Sequence, residues 1–175
     1  MKILIAYSSY GGVTKECADI LISYLNDRCK VELIDVRQNS IPSPENYDAV
    51  ILGSSIRMGS MNKKLKKYVK LYKKELSEMP CGVFFCCGFT RLFQEYVDTQ
   101  LPKGLEPSLG CHMFGGELKP EKLKGIDKLA VMLMRNSIKS QDFEENDSDH
   151  HDLPEIFPEN IILLAKEIRK ISNNC

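Results

Sequence analysis

The chain has 175 residues, 43% of them hydrophobic and 27% charged, the composition of an ordinary globular protein long enough to bury a core without disulfide or metal staples. Its 24 Lys plus Arg balance 24 Asp plus Glu, so net charge gives no reason to bind nucleic acid or an anionic membrane. The first residues lack a signal peptide's long apolar region, and the apolar run at 129–134 falls far short of the ~20 residues of a spanning helix; a cytoplasmic protein without a transmembrane segment is expected.

Short apolar runs at 3–6, 31–36, 49–52, 83–87 and 109–114 are mostly continuous rather than alternating, as in strands covered on both faces. Helix-period segments lie between them. Val13, Cys17, Ile20, Leu21, Tyr24 and Leu25 share one face, as do Leu65, Tyr68, Val69, Tyr72 and Leu76. A final helix is expected over 158–171, with Pro158 and Glu159 in its first turn and Lys and Arg near its end. Alternating strands and helices predict one α/β domain over 1–175, with a five-stranded parallel sheet and helices on both faces. Ligands of such sheets bind beyond the carboxyl ends of the strands, where strand order reverses.

Two segments interrupt this pattern. Residues 63–74 hold seven lysines on the polar side of an amphipathic helix, read as a solvated face, with a docking surface as the alternative. Residues 140–165 hold eight carboxylates and no Lys or Arg, so a long acidic surface loop is expected at about 140–157. The seven cysteines are irregularly spaced without a Cys-x-x-Cys and read as reduced, mostly buried thiols. His150 and His151 lie among acids and read as loop residues, so no metal site is expected.

The most informative stretch is Ser8, Ser9, Tyr10, Gly11, Gly12, Val13 and Thr14, between a buried strand and an amphipathic helix. Two glycines permit a tight turn, three hydroxyls can donate, and the helix start supplies free N–H groups and a positive dipole end. That combination suits a phosphate; the bland alternative is a hydroxyl-capped turn. There is no Gly-x-x-x-x-Gly-Lys and no Gly-x-Gly-x-x-Gly, which argues against a P-loop NTPase and a dinucleotide fold. Cys86 and Arg91 are one residue too close for a cysteine phosphatase loop. A phosphate held without Lys or Arg suits the monophosphate of FMN. The stretch resembles the flavodoxin phosphate loop, Thr/Ser-x-Thr-Gly-x-Thr, through Ser9, Gly12 and Thr14, with Gly11 in place of a hydroxyl residue. The resemblance implies a three-layer flavodoxin-like fold with strand order 2-1-3-4-5 and FMN as cofactor.

Walls for a flavin ring should come from the loops after the third and fourth strands. The first contains Gly53, Ser54, Ser55, Ile56, Arg57, Met58 and Gly59. Gly59 can free a peptide to flip, Met58 can pack its thioether on an aromatic ring, and Arg57 can stack or offset negative charge. The alternative is that Ser60 caps the next helix and Arg57 is a surface residue. The second loop offers Cys87, Gly88, Phe89 and Thr90, with Phe89 the aromatic candidate; Gly115 and Gly116 follow the fifth strand at the same edge. A vicinal disulfide between Cys86 and Cys87 is rejected, because neighbouring strand residues point to opposite faces.

The motif GSSIRMG at 53–59 resembles the Gly-[Ala/Ser]-Ser-Ile-Arg-x-Gly loop of the menaquinone-dependent protoporphyrinogen oxidase group of flavodoxin-fold proteins, and residues 128–137 resemble the start of its long segment before the last helix. Met58 stands where that group usually has an aromatic residue, and the acidic stretch 142–152 does not look like its insert. The resemblance implies an oxidoreductase acting on a porphyrinogen or quinone, with peripheral membrane contact through 129–134 left open. The alternatives are an electron carrier serving a redox partner protein, and a non-catalytic module that senses flavin or docks a partner. Carriers of this fold tend to be strongly acidic. A neutral chain without Trp, with Arg57 in the ring loop, predicts a flavin midpoint less negative than theirs. No general base stands out.

Overall fold

The computed structural model describes residues 1–25, 27–88, 90–116 and 155–173. Five strands, β1 (Lys2–Ser8), β2 (Lys30–Asp35), β3 (Ala49–Ser55), β4 (Cys81–Cys86) and β5 (Cys111–Met113), form one parallel sheet in the order β2-β1-β3-β4-β5. Ile3 of β1 is in register with Val31 on one side and Ala49 on the other. Strand order therefore reverses across β1 and β3, as anticipated. The described helices are α1 (Val13–Ser23), α2 (Lys63–Leu71), α3 (Lys73–Glu78), α4 (Phe93–Gln100) and α5 (Pro158–Asn173).

The pleat of the strands divides the core in two. Leu4, Ala6, Val50, Leu52, Val83 and Phe85 face one side and pack with Leu65, Tyr68 and Val69 of α2, Leu76 of α3 and Tyr96 of α4. Ile3, Ile5, Ala49, Ile51 and Phe84 face the other and pack with Cys17, Ala18 and Leu21 of α1 and Ile161, Leu164, Ala165 and Ile168 of α5. Each fully buried aliphatic or aromatic side chain contributes roughly 1.5–3 kcal/mol relative to exposure, so both layers hold the sheet rigid beneath its carboxyl edge.

Two local features sharpen the sequence reading. The helix expected over 63–76 is broken at Tyr72, whose φ of −104° and ψ of 28° leave helical geometry, so α2 ends at Leu71 and α3 begins at Lys73. Asn62, rather than Ser60, caps α2, its side chain accepting a bond from the Lys64 N–H at 2.8 Å. Past the segment 117–154 the chain returns to the sheet beside β5: Gly115 and Ile156 form an antiparallel bridge, and the Phe157 N–H donates to the Phe114 carbonyl at 3.0 Å. Residues 128–137, His150, His151 and the acidic loop up to 154 lie outside the described residues. Among the described residues no helix is long and apolar enough to cross a membrane, and no cluster of His, Cys, Asp or Glu could hold a metal ion.

Candidate functional site

At the carboxyl end of β1 the chain turns directly into α1. Gly12 makes that turn at φ 92°, a left-handed conformation natural to glycine. Its carbonyl opens the helix by accepting from the Glu16 N–H at 3.0 Å, and no side chain caps the helix start. The first-turn N–H groups of α1 thus lack intrahelical partners and face the loop with the positive end of the helix dipole.

The loop's hydroxyls divide into two kinds. The Ser9 Oγ accepts from the Gly12 N–H at 3.0 Å and keeps its own O–H as a donor. Ser8 and Thr14 are almost fully buried, and neither hydroxyl has a hydrogen-bond partner. Thr14 lies near enough to Cys86 to favour its thiolate slightly, but sulfur is a weak acceptor and no bond is completed. A buried hydroxyl without a partner carries a desolvation cost of roughly 1–3 kcal/mol. Two of them beside an uncapped helix start fit an oxyanion: each can donate to it. A β-carbon at Gly11 or Gly12 would meet no atom of the described residues within 4 Å, so the loop is open at these two positions. The Ser9 hydroxyl does close the turn onto the Gly12 N–H, as in the alternative of a hydroxyl-capped turn, but no side chain caps the start of α1.

Behind this loop, Cys17 of α1 and Cys86 at the end of β4 bring their sulfurs to 3.8 Å. The hydrogen bond to Cys17, with burial, pushes the Cys86 thiol well up, which keeps it protonated and inert. Cys86 packs on the α1 side of the sheet and Cys87 on the other, as the pleat requires.

The loop after β3 is a tight hairpin. Arg57 and Ser60 exchange both backbone hydrogen bonds, at 2.9 and 3.0 Å, across Met58 at φ 49° and Gly59 at φ 72°. Positive φ at both central positions marks a type I′ turn, for which glycine is well suited and methionine is not. Met58 is 74% exposed and Gly59 borders open space. Ser54 anchors the far end: its buried hydroxyl accepts from the Asn62 N–H at 3.1 Å and donates to the Ser55 carbonyl at 3.0 Å. The Ser55 hydroxyl donates to the Ser8 carbonyl at 3.4 Å, and the Ile56 N–H to the Cys86 carbonyl at 2.9 Å. The first and second loops are therefore joined directly.

The third wall is partly described. The Cys87 N–H donates to the Gly115 carbonyl at 3.0 Å, and a β-carbon at Gly116 would press on the Cys87 backbone at 2.9 Å, so glycine lets the two loops touch. Gly88 is half-buried and Thr90 is exposed at the start of a 3-10 turn; Phe89 lies outside the described residues.

One neighbour escaped the sequence reading. Arg37, just past β2, donates from Nη1 to the Ser9 carbonyl at 2.7 Å and holds its guanidinium 4.3 Å from the Tyr10 ring centroid. Arg57 approaches the same ring at 4.9 Å. The available signal was topological: the carboxyl end of β2 lies on the same sheet edge as those of β1 and β3.

Together the fold and site define a doubly wound α/β protein with an uncapped helix start and two partnerless buried hydroxyls at its topological switch point, bordered by two glycine-bearing loops. The model of the flavodoxin domain family matches residues 4–145; the chain belongs to that family, and its cofactor is FMN, which the orphaned hydroxyls of Ser8 and Thr14 fit. Protoporphyrinogen IX dehydrogenase (quinone) of Escherichia coli K12 is 34% identical over 85 residues, covering 48% of this chain and 47% of that protein. The Leishmania major protein of the same name is 35% identical over 85 residues, covering 47% and 37%. The chain spans about half the length of the bacterial relative it matches. Among solved structures, rubredoxin oxygen:oxidoreductase of Desulfovibrio gigas superposes with a TM-score of 0.56 at 16% identity, over 99% of this chain and 36% of that one. A short-chain flavodoxin associated with a bacterial microcompartment gives 0.53 at 20% identity, over 78% and 99%. These two likenesses concern the fold.

Proposed function

We propose that the chain is an FMN-dependent oxidoreductase that takes a porphyrinogen-type substrate and passes electrons to a quinone. The observation that carries the cofactor site is the pair of buried, partnerless hydroxyls at the uncapped start of α1; the likeness to the protoporphyrinogen dehydrogenases supports the reaction class. Bound there, FMN supplies hydride and electron transfer that no side chain can perform. The protein's part is to bind and orient. Ser8 and Thr14 donate to the phosphate alongside the first-turn N–H groups, with Ser9 and the backbone of Tyr10 to Val13 shaping the cradle. Residues 54–59 form the wall on the β3 side, where Gly59 leaves a peptide free to turn toward the ring. Residues 87–90 with Gly116 form the wall on the β4 side. No residue is assigned as a general base. A cytoplasmic setting belongs to the same reading and rests on cysteine usage.

A second reading, an electron carrier, draws on membership of the flavodoxin domain family; partner docking or flavin sensing without turnover is the third. Incubating FMN-loaded protein with protoporphyrinogen and a quinone separates them. Porphyrin fluorescence should rise faster than in a flavin-free control. Equal rates would leave the carrier reading ahead, and a protein that refuses FMN altogether would sink both redox readings.

A further inference from the structure

The hairpin after β3 is held from α4 by one side chain. Gln100, the last residue of α4, is 4% exposed, and an amide is costly to bury unless its hydrogen bonds are made. Here they are. Nε2 donates to the Gly59 carbonyl at 3.1 Å and to Thr99 Oγ1 at 2.9 Å. Oε1 accepts from the Met61 N–H at 3.2 Å and from Lys66 Nζ at 3.3 Å. These partners fix which way round the amide lies, because a carbonyl only accepts and a backbone N–H or an ammonium only donates.

The two backbone contacts matter most. The amide meets the Gly59 carbonyl and the Met61 N–H as one residue of a neighbouring strand would. The base of the hairpin is thus closed twice, by Gln100 and by the bonds that Arg57 and Ser60 exchange. At its tip, among the described residues, the Met58 carbonyl and the Gly59 N–H make no hydrogen bond. Met58 at φ 49° is a strained conformation for a residue with a side chain, and such strain persists only where the surroundings impose it. Gln100 is part of what imposes it. The Lys66 ammonium assists: by donating to Oε1 it polarises the amide and strengthens the donor aimed at Gly59.

We propose that Gln100 is a positioning residue for the flavin: from α4 it imposes the shape of the 57–60 hairpin and keeps the wall beside the isoalloxazine ring formed before the cofactor arrives. This deepens the cofactor reading given above and rests on residues 54–59 forming that wall. Without the anchor the hairpin samples other shapes, and the apparent flavin affinity falls with the fraction of protein that holds the competent one. The role belongs to the ring end of FMN. Gln100 makes no hydrogen bond with the Ser8 or Thr14 hydroxyl at the phosphate seat.

Riboflavin, which has the ring without the phosphate, separates the two ends of the cofactor. Gln100→Met keeps the length of the side chain and removes its amide. Gln100→Glu keeps an acceptor for Met61 and Lys66 but loses the donor to Gly59, and it serves where the methionine variant fails to fold. Riboflavin carries no charge, so the added carboxylate does not by itself repel it. In fluorescence titrations either change should weaken FMN and riboflavin by the same factor, about tenfold if one molecule in ten keeps the competent hairpin. The visible circular dichroism of the bound flavin, which reads how the ring is held, should change as well. Unaltered affinity for both flavins in a folded variant would overturn the proposal. So would loss of FMN alone, which would place the effect at the phosphate, and so would a parallel loss with unaltered dichroism, which would leave Gln100 a folding role only. Failure of the unaltered protein to bind either flavin would remove the cofactor reading and this inference with it.

Discussion

Thr14 shows how a buried polar atom separates a binding role from a folding role. Its hydroxyl makes no bond in the protein, so replacing it by the near-isosteric valine removes nothing that stabilises the fold. Thr14→Val should leave the melting temperature of FMN-free protein unchanged or slightly raised, because an unpaired buried hydroxyl costs roughly 1–3 kcal/mol. The same change should weaken FMN about tenfold or more, the loss expected for a hydrogen bond to a charged group at ~1.5–3 kcal/mol, and leave riboflavin binding unaltered. Paired fluorescence titrations with FMN and riboflavin read this out; an equal loss for both flavins would remove Thr14 from the phosphate seat. Tyr68 supplies the contrast. Its phenol is also buried without a partner, yet it sits inside the packing of α2 on the sheet, its ring 4.9 Å from that of Tyr72. An orphaned hydroxyl becomes a candidate ligand through what surrounds it. The sequence indicates which loop carries the chemistry, since glycines and hydroxyls between a strand and a helix mean the same thing in any order of discovery. It does not separate Ser9, whose oxygen accepts from the Gly12 N–H, from Ser8 and Thr14, whose hydroxyls make no bond, because that depends on where each Oγ points after folding.

At the scale of elements, β3 and β4 are locked together by a missing side chain. A β-carbon on Gly53 would fall inside the ring of Phe84, and that ring is itself stacked on Phe114 at 4.4 Å. Gly53→Ala should therefore destabilise the protein by about 3 kcal/mol, the upper range for overpacking, measured by urea unfolding. Adding Phe84→Leu should recover part of that loss, giving a non-additive double mutant; strict additivity would show that the clash is relieved elsewhere. Strand and helix positions are legible from hydrophobic period because burial on both faces of a parallel sheet leaves continuous apolar runs. The break at Tyr72 is not. Residues 63–76 keep one helical period across it, and the interruption comes from backbone angles at one residue that no composition signal marks. Arg37 is missed for a related reason: β2 is an edge strand at the far side of β1, and its loop carries no glycine or hydroxyl cluster to draw attention.

For the molecule as a whole, the groups with displaced titration act together at alkaline pH. Burial, with a hydrogen bond to Glu32 at 2.8 Å, pushes the Tyr47 phenol up to about 12. Burial pushes the Cys81 thiol up to about 12 and the Cys111 thiol up to about 11, and it holds the Tyr68 phenol well above its ordinary value. In each case the neutral, protonated form is the one the fold prefers. A raised folded-state value means the stabilisation is complete below the unfolded value, near ~9 for the thiols and ~10 for the phenols, and is lost as pH rises through the folded value. The melting temperature should hold steady as the pH approaches ~9 and then fall progressively toward pH ~12. Tyr68→Phe removes both the unpaired hydroxyl and its alkaline ionisation, so it should raise stability by about 1 kcal/mol near neutrality and make the fall above pH ~10 shallower. Thermal melts of the two proteins across that range measure the difference, and parallel curves would show that Tyr68 ionises as freely in the folded chain as in the unfolded one.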